Sequence, residues 1–415
     1  MELKYVVSVV LISLQYLLFF FWIYWLFISL FGFGKPLKQK TYEPYNRFLL
    51  LVPAHNEERV IGQLLENLNN LDYPKTLYQI CVIADNCNDT TADMARKAGA
   101  TVIEHTYIPG EPKGKPHAIK YAVTHYGASL SQFDAVAFFD ADNLVTLNYL
   151  REMNNHLLNG DRLIQCYLDT KNPDDNWITL SYATSYYYMN RSWQLAKSKL
   201  GLGNAIGGTG FCVETKLLVK IGWTVRSLTE DLEFTMQCLL EGVPAKWCHT
   251  ARVFDEKPES FRASVSQRLR WVRGHWDVNF RYTHKLLWRA ISKLDFLSFD
   301  GAVYLVNPGK IILNTVTSAL LLASFFFKSH WFGLVFHWHV WLFILLFQFA
   351  YIGFAISTDS EKKINIIKSY MSMVVFNLSY IPLFFWALLT FTNKTWNPTK
   401  HTKSVDFKTI SINDK

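Results

Sequence analysis

Charge is scarce in this chain, and so are the short motifs that announce many nucleotide-binding enzymes. Asp, Glu, Lys and Arg make up 18% of the 415 residues, against about 25% in a soluble globular protein. Half the residues are apolar and 16% are aromatic, which excludes disorder, coiled coil and collagen. A mean hydropathy of +0.07 is still too low for a chain embedded in a membrane throughout. No GxGxxG follows the first strand-like run and no GxxxxGK[ST] occurs anywhere. Dinucleotide oxidoreductases and P-loop NTPases are therefore disfavoured. The six cysteines include no CxxC pair, so a zinc site has no support. The net charge of +8 comes with no recognisable nucleic-acid module, and no nucleic-acid partner is expected. What remains is a hybrid of soluble and membrane parts.

The apolar excess sits at the two ends. Val6 to Phe33 carries no charge and is long enough to cross about 30 Å of hydrocarbon as a helix. A signal peptide would have a shorter apolar region ending in small residues. This run ends in bulky aromatics, so an uncleaved anchor over 1–34 is expected. Further spans are expected at Ile311–Phe327, Trp331–Ser357 and Met371–Phe391. The chain then divides into a soluble domain at 45–258, amphipathic interface helices at 259–300, about three transmembrane helices at 301–392 and a basic tail at 393–415. Lys35, Lys38, Lys40 and Arg47 follow the first span, whereas only Lys4 precedes it. The positive-inside rule places the central domain in the cytosol, on a multi-pass plasma-membrane protein. Lipid bilayer with an anionic inner leaflet is thus one partner. The bookkeeping strains at the end. Lys362, Lys363 and Lys368 suit a cytosolic loop, so a fourth crossing would put the tail lysines 394, 400, 403 and 408 outside. Either the tail breaks the rule, or one C-terminal segment is re-entrant or interfacial.

Within the soluble part, short apolar runs at 48–52, 79–84, 101–104 and 135–139 alternate with helical patterns at 57–68 and 92–98. This alternation implies an α/β fold with a mostly parallel sheet covered on both faces. Ligands of such sheets bind beyond the carboxyl ends of the strands. Three strands end in His55-Asn-Glu-Glu58, Asp85-Asn86 and Asp140-Ala-Asp142, so polar residues collect along one edge.

Each motif has a plainer reading. Asp140 and Asp142 stand at i and i+2, which in an extended segment puts both carboxylates on one side to address one cation. Mg²⁺ or Mn²⁺ held by a couple of carboxylates and completed by phosphate oxygens would suit them; a solvated turn would explain them as well. Asp85 is a turn former or a ligand contact. Lys113-Gly-Lys115 suits a mobile loop over phosphates or a solvated basic loop. Gly207-Gly-Thr-Gly210 allows close approach of backbone to a ligand, or is a plain loop. Thr229-Glu-Asp231 precedes a helix and could simply cap it; alternatively, an acid there is a general base. Gln267, Arg270 and Trp271 share one face of an amphipathic helix over Ser260–Trp288. An arginine on that face could clamp a pyrophosphate and an indole could stack on a sugar.

In this order the set resembles the signature of family-2, GT-A-fold processive β-glycosyltransferases, the group of cellulose, hyaluronan, chitin and poly-N-acetylglucosamine synthases. Asp85, Asp140-x-Asp142, Thr229-Glu-Asp231 and Gln267-x-x-Arg270-Trp271 carry the resemblance. The text around Val52–Glu57, Ala84–Cys87, Asn172–Trp177 and Ser227–Leu232 is similar to a bacterial exopolysaccharide, or biofilm, subgroup. The resemblance spans roughly 45–290 and implies a GT-A nucleotide-sugar-binding domain. It implies Asp231 as catalytic base with Glu230 beside it, and Asp140 and Asp142 as ligands of Mg²⁺ or Mn²⁺. Donor contacts would come from Glu57, Asp85, Lys115, Asp140, Gln267 and Arg270. Acceptor contacts would come from Trp271, Gly208, Thr209 and Gly210. Its donor would be UDP-glucose or UDP-N-acetylglucosamine, its acceptor a growing polysaccharide, and its partners accessory exopolysaccharide proteins. Two departures stand out: Asp85-Asn86 replaces paired aspartates, and no regulatory nucleotide-binding domain follows the membrane part.

The implied activity is inverting, metal-dependent polymerisation of a β-linked polysaccharide with export across the membrane. Asn307, Lys310 and Asn314 are candidates to line an exit path, and Trp331, Trp338 and Trp341 to stack on sugars, though helix ends and interfacial aromatic belts explain such residues too. The nearest rival is a non-processive transferase that moves one sugar to a membrane lipid. A third reading is a non-catalytic transporter or scaffold, against which the five intact acidic positions argue.

Overall fold

The computed structural model describes residues 2–108, 113–326, 335–360 and 363–395. In chain order the elements are α1 (Glu2–Leu30), β1 (Phe48–Ala54), α2 (Ile61–Leu68), β2 (Tyr78–Asp85), α3 (Thr91–Lys97), β3 (Thr101–His105), α4 (Lys115–Tyr126), β4 (Ala135–Phe138), β5 (Leu144–Val145), α5 (Tyr149–Leu158), β6 (Leu163–Thr170), α6 (Trp177–Met189) and α7 (Ala196–Lys199). They continue with β7 (Phe211–Glu214), α8 (Thr215–Ile221), α9 (Glu230–Leu240), β8 (Lys246–Asp255), α10 (Phe261–Lys293), α11 (Phe296–Leu305), α12 (Asn307–Phe326), α13 (Trp338–Asp359) and α14 (Ile366–Thr390).

The eight strands form one sheet in the order β3-β2-β1-β4-β7-β6-β8-β5. The β3-β2-β1-β4 half is wholly parallel, whereas β7 runs antiparallel to both β4 and β6. Strand β1 shows why its sequence is an unbroken apolar run. Leu50 and Val52 face a core shared with α2 and α5, while Leu49 and Leu51 face one shared with α4, α8 and α9. Alternate residues of a doubly covered strand must both be apolar. Pro53 lies inside β1 instead of ending it, but beyond Leu51, the last residue paired with β4.

The membrane-side helices are bolted to this sheet by buried charge. Arg191, in the π-helical turn that follows α6, is 3% exposed. Its Nε donates to Asp359 Oδ1 at 2.7 Å, at the end of α13, and Nη1 donates to the carbonyls of Gly32 (3.2 Å) and Gly34 (3.1 Å) just past α1. A second buried pair, Lys197 with Asp300 at 2.6 Å, joins α7 to α11, and Tyr24 of α1 donates to the same aspartate at 2.8 Å.

Three described helices are long and apolar enough to cross a membrane, at Ser8–Leu30, Trp338–Asp359 and Ile366–Thr390. The expected span at 311–327 is helical as far as Phe326, but α12 also carries Asn307, Lys310, Asn314, Thr315 and Thr317 and is not one of the three. Helix α14 bears on the charge problem at the C-terminus. It packs along α6 and α10. Ser185 of α6 donates to Met373 Sδ at 3.8 Å, Arg268 donates to Ser379 Oγ at 2.9 Å, and Arg273 donates to Thr390 Oγ1 at 2.9 Å. Just past its end Lys394 reaches the Arg226 carbonyl at 3.2 Å. Along its length α14 therefore meets α6, α10 and the loop before α9. Lys362, Lys400, Lys403 and Lys408 lie outside the described residues, as do Trp331 and most of 393–415. Of the tryptophans considered for sugar stacking, Trp341 packs on Phe19 and Phe336.

Arg191→Ala should destabilise the protein by about 3–5 kcal/mol, because it strands a buried carboxylate. Arg191→Lys should recover little, since an ammonium lacks the fork that reaches three acceptors. Thermal melts of the detergent-purified protein check this; an unchanged midpoint in the alanine variant would refute it.

Candidate active site

The segment after β4 is a turn, not the extended stretch expected. The Asn143 N–H donates to the Asp140 carbonyl at 3.0 Å, so the i, i+2 alternation does not apply and the two carboxylates face different partners. Asp140 keeps a solvent-facing carboxylate, 37% exposed, whose Oδ1 lies 2.5 Å from Lys115 Nζ. Asp142 is buried, with Oδ2 accepting from the Glu256 N–H at 2.9 Å and Oδ1 from Asn143 Nδ2 at 3.2 Å. Among the described residues no three His, Cys, Asp or Glu are grouped as a metal cage. An ion held by one or two carboxylates and completed by phosphate oxygens fits this donor set.

Opposite Asp140 stands the Gly207–Gly210 segment. Thr209 Oγ1 accepts the Asp140 N–H at 3.1 Å and contacts Asn143 Oδ1. Gln165 brackets the segment by donating to the Thr209 carbonyl and accepting the Gly207 N–H. Two glycines are needed for different reasons. Gly210 has φ +62°, and a Cβ there would meet Val253 at 2.5 Å and Cys166 at 2.6 Å, so protein packing alone demands it. Gly208 has φ +82° and sits where a Cβ would lie 3.2 Å from Asp231 Oδ2.

Helix α9 starts at Glu230, yet the Thr229 side chain makes no capping bond. Asp231 Oδ1 accepts the Leu232 N–H at 2.7 Å, which leaves Oδ2 toward Gly208. Burial pushes the Asp231 carboxyl up to about 7, and the neighbouring charge of Glu230 adds to the rise; the Leu232 N–H, Lys115 and Arg270 oppose it. Glu230 is buried and lies 3.6 Å from Lys115 Nζ. A carboxyl titrating near neutrality is suited to accept a proton in mid-reaction.

The remaining predicted residues lie on α10 and at or just past the ends of β1 and β2. On α10, Gln267 keeps a buried Oε1 without a hydrogen-bond partner, and Arg270 Nη1 donates to the Leu228 carbonyl at 3.4 Å, just before α9. Trp271 meets Tyr182 of α6 edge-on at 6.0 Å, next to Phe376 of α14. The indole thus lies where the catalytic domain meets the apolar helices. Asp85 closes β2 at the far end of the sheet edge, its Oδ1 accepting from His105 Nδ1 and Asn86 Nδ2, both at 2.7 Å. Glu57 follows β1, its N–H donating to Thr91 Oγ1 at 2.9 Å.

Three residues here escaped the motif search. Burial pushes Asp255 up to about 6, with Asp142 and Asp140 adding to the rise and Lys257, 2.5 Å away, opposing it. Lys171 ends β6 with a buried ammonium that has no hydrogen-bond partner; burial lowers its pKa against the pull of Asp142, Glu256, Asp255 and Glu57. Tyr186 of α6 lies under Lys257 Nζ, 3.8 Å from the ring centroid. Asp255 did carry a signal: Val253-Phe254 followed by Asp255-Glu256 repeats the strand-then-acid pattern of the other edge residues. Lys171 and Tyr186 had none, because nothing local places them.

Comparison with known proteins decides the family. The model of glycosyltransferase like family 2 matches residues 44–274, more than half of the chain. The chain belongs to this family. It is similar to the probable glycosyltransferase YdaM of Bacillus subtilis, 26% identical over 294 residues, which is 68% of this chain and 67% of that one. It is also 26% identical over 277 residues to the β-monoglucosyldiacylglycerol synthase of Synechocystis, 65% of this chain but only 56% of the synthase. The mannosyltransferase PcManGT from Pyrobaculum calidifontis, solved with GDP-Man and Mn²⁺, shares the fold at a TM-score of 0.58 and 16% identity, over 92% of this chain and 99% of that one. The GT-A-like sheet is thus established. The expected exopolysaccharide and biofilm subgroup finds no counterpart in these relatives' names, one of which is a lipid glycosyltransferase.

Asp231→Asn should lower turnover by about 10²–10⁴-fold while nucleotide-sugar binding persists, measured by single-turnover kinetics beside calorimetric titration. A base at Asp231 would work as a carboxylate, so kcat/KM should rise with pH through an apparent pKa near 7 and then level off. Glu230→Gln removes a charge that raises Asp231, so its rising limb should move to lower pH. An Asn variant with near wild-type turnover would remove Asp231 from the base role.

Proposed function

We propose that this glycosyltransferase moves a single hexose from a nucleotide sugar, UDP-glucose first among candidates, to the hydroxyl of a membrane lipid, with inversion at the anomeric carbon. One observation carries the reading: α6 serves both places, since its Tyr186 is raised by burial and further by the nearby charges of Asp255, Asp231 and Asp140, while its Tyr182 packs with Trp271, Phe376 and Tyr380 at the junction of α6, α10 and α14. A lipid hydroxyl arriving from the bilayer reaches that face without leaving the interface. The diacylglycerol acceptor in the name of the Synechocystis relative supports the same class. The Gln267-x-x-Arg270-Trp271 motif and the following helices were expected to favour a polymerase, but the packing of α14 on α10 gives them an interfacial use instead.

In the reaction, Asp231 Oδ2 takes the proton of the acceptor hydroxyl as its oxygen bonds to the anomeric carbon. The bond from that carbon to the diphosphate oxygen breaks, and the nucleoside diphosphate leaves with the electron pair. Lys115 and Arg270 lie on the side where its charge develops. A divalent ion held by Asp140 and Asp142 would supply further charge neutralisation to the diphosphate. Gly208, lacking a side chain, leaves Asp231 Oδ2 accessible, and Gln267 has an acceptor free for a substrate group.

The catalytic domain is proposed to face the cytosol at the plasma membrane, with α14 lying along the interface. That placement keeps the segments before and after α14 on one side and removes the conflict with the positive-inside rule. Its outer stripe of Ile367, Met371, Leu378, Trp386 and Leu389 is exposed and apolar, as a helix lying in a leaflet requires.

The purified protein, incubated with UDP-glucose, dioleoylglycerol vesicles and Mn²⁺ or Mg²⁺, should yield a glycolipid with one added hexose by mass spectrometry. Product that lengthens with time, or sugar transfer that needs no lipid, would overturn the lipid reading in favour of a polymer.

A further inference from the structure

Lys115 stands at the crossing point of two functions. Its ammonium is 2.5 Å from Asp140 Oδ1 on the metal side and 3.6 Å from Glu230 Oε1 on the base side. It also donates to the Gly208 carbonyl at 2.6 Å. The backbone beneath it is held: Trp223 Nε1 donates to the Pro116 carbonyl at 3.0 Å, and α4 begins at Lys115 itself. Any relocation of the charge is therefore a swing of the four-carbon stem, in a side chain that is 20% exposed.

A divalent ion on Asp140 would sit about 2.0–2.2 Å from the same carboxylate oxygens, within a few ångströms of the ammonium. Two cations cannot share that carboxylate without strong repulsion. A diphosphate offers the ammonium another anion of higher charge. We propose that Lys115 is a resident cation that occupies the Asp140 carboxylate until a nucleotide diphosphate draws it away, so that metal and donor bind with strong mutual cooperativity and metal alone binds weakly. The same bond ties Asp140 to the Glu230–Asp231 end of the site, so the donor's arrival also frees the base side. This inference rests on the nucleotide-sugar reading of the site but not on the identity of the acceptor.

The test is Mn²⁺ binding to the full-length detergent-purified protein, followed by the electron paramagnetic resonance signal of free Mn²⁺, with and without UDP. A protein-free titration subtracts Mn²⁺–UDP association. Wild type should bind Mn²⁺ about tenfold or more tightly when UDP is present, within the usual range of coupling between sites. Lys115→Met should bind Mn²⁺ alone about tenfold more tightly than wild type and lose most of that coupling. Lys115→Arg, which keeps the cation, should retain the coupling. Near-ultraviolet circular dichroism confirms that each variant is folded, and a misfolded Met variant is replaced by Lys115→Gln. Unchanged or weaker Mn²⁺ binding by the folded neutral variant, without UDP, overturns the inference. If wild type binds neither UDP nor GDP by calorimetry in the presence of metal, the donor-site reading itself fails, a result distinct from loss of coupling.

Discussion

The orientation of the whole molecule hangs on one guanidinium. Arg191 is buried, and it binds the end of α13 through Asp359 and the exit of α1 through two carbonyls. Asp359 also accepts from Tyr167 of β6 at 3.2 Å. An ion pair in such a place contributes modestly over an apolar substitute, but leaving half of it is costly. Its consequence is geometric, because helices that would otherwise float against the sheet are held at a set height relative to the strand ends where the acids lie.

That height explains the composition of the interface helices. Arg268 of α10 is fully buried, donates to the Phe376 carbonyl at 3.2 Å, and stacks on the rings of Phe376 and Tyr380. Its neighbours Gln267, Arg270 and Trp271 are thereby fixed in rotation about the helix axis. A helix that is amphipathic in sequence is here wedged between helices, packing with α9 and α11 in one cluster and with α12 and α14 in another.

The active site itself is an exercise in unequal carboxylates. Asp142 is satisfied by a backbone N–H and an amide, Asp140 by an ammonium, and Asp231 by one N–H with its other oxygen free. Of the three, burial raises the Asp231 carboxyl toward neutrality. The bare backbone of Gly208 leaves room beside the second oxygen of Asp231.

Much of this was legible in the sequence. Doubly covered strands must be apolar at nearly every position, so β1, β2 and β4 showed as apolar runs. Acids at strand ends marked the functional edge because α/β sheets put ligands there, and the order of the motifs pointed to the family. Local chemistry of that kind is written in neighbouring residues. Other features depend on contacts across hundreds of positions. The turn that separates Asp140 from Asp142 comes from its clamp to Thr209, and the need for glycine at 210 comes from Val253 and Cys166. That α14 lies against α10 is set by Arg268, Arg273 and Lys394. Periodicity and hydropathy measure a helix's own surface, and a crossing helix and an interfacial one can have the same surface. Only the partner that covers one side distinguishes them, and the tertiary structure alone supplies the partner.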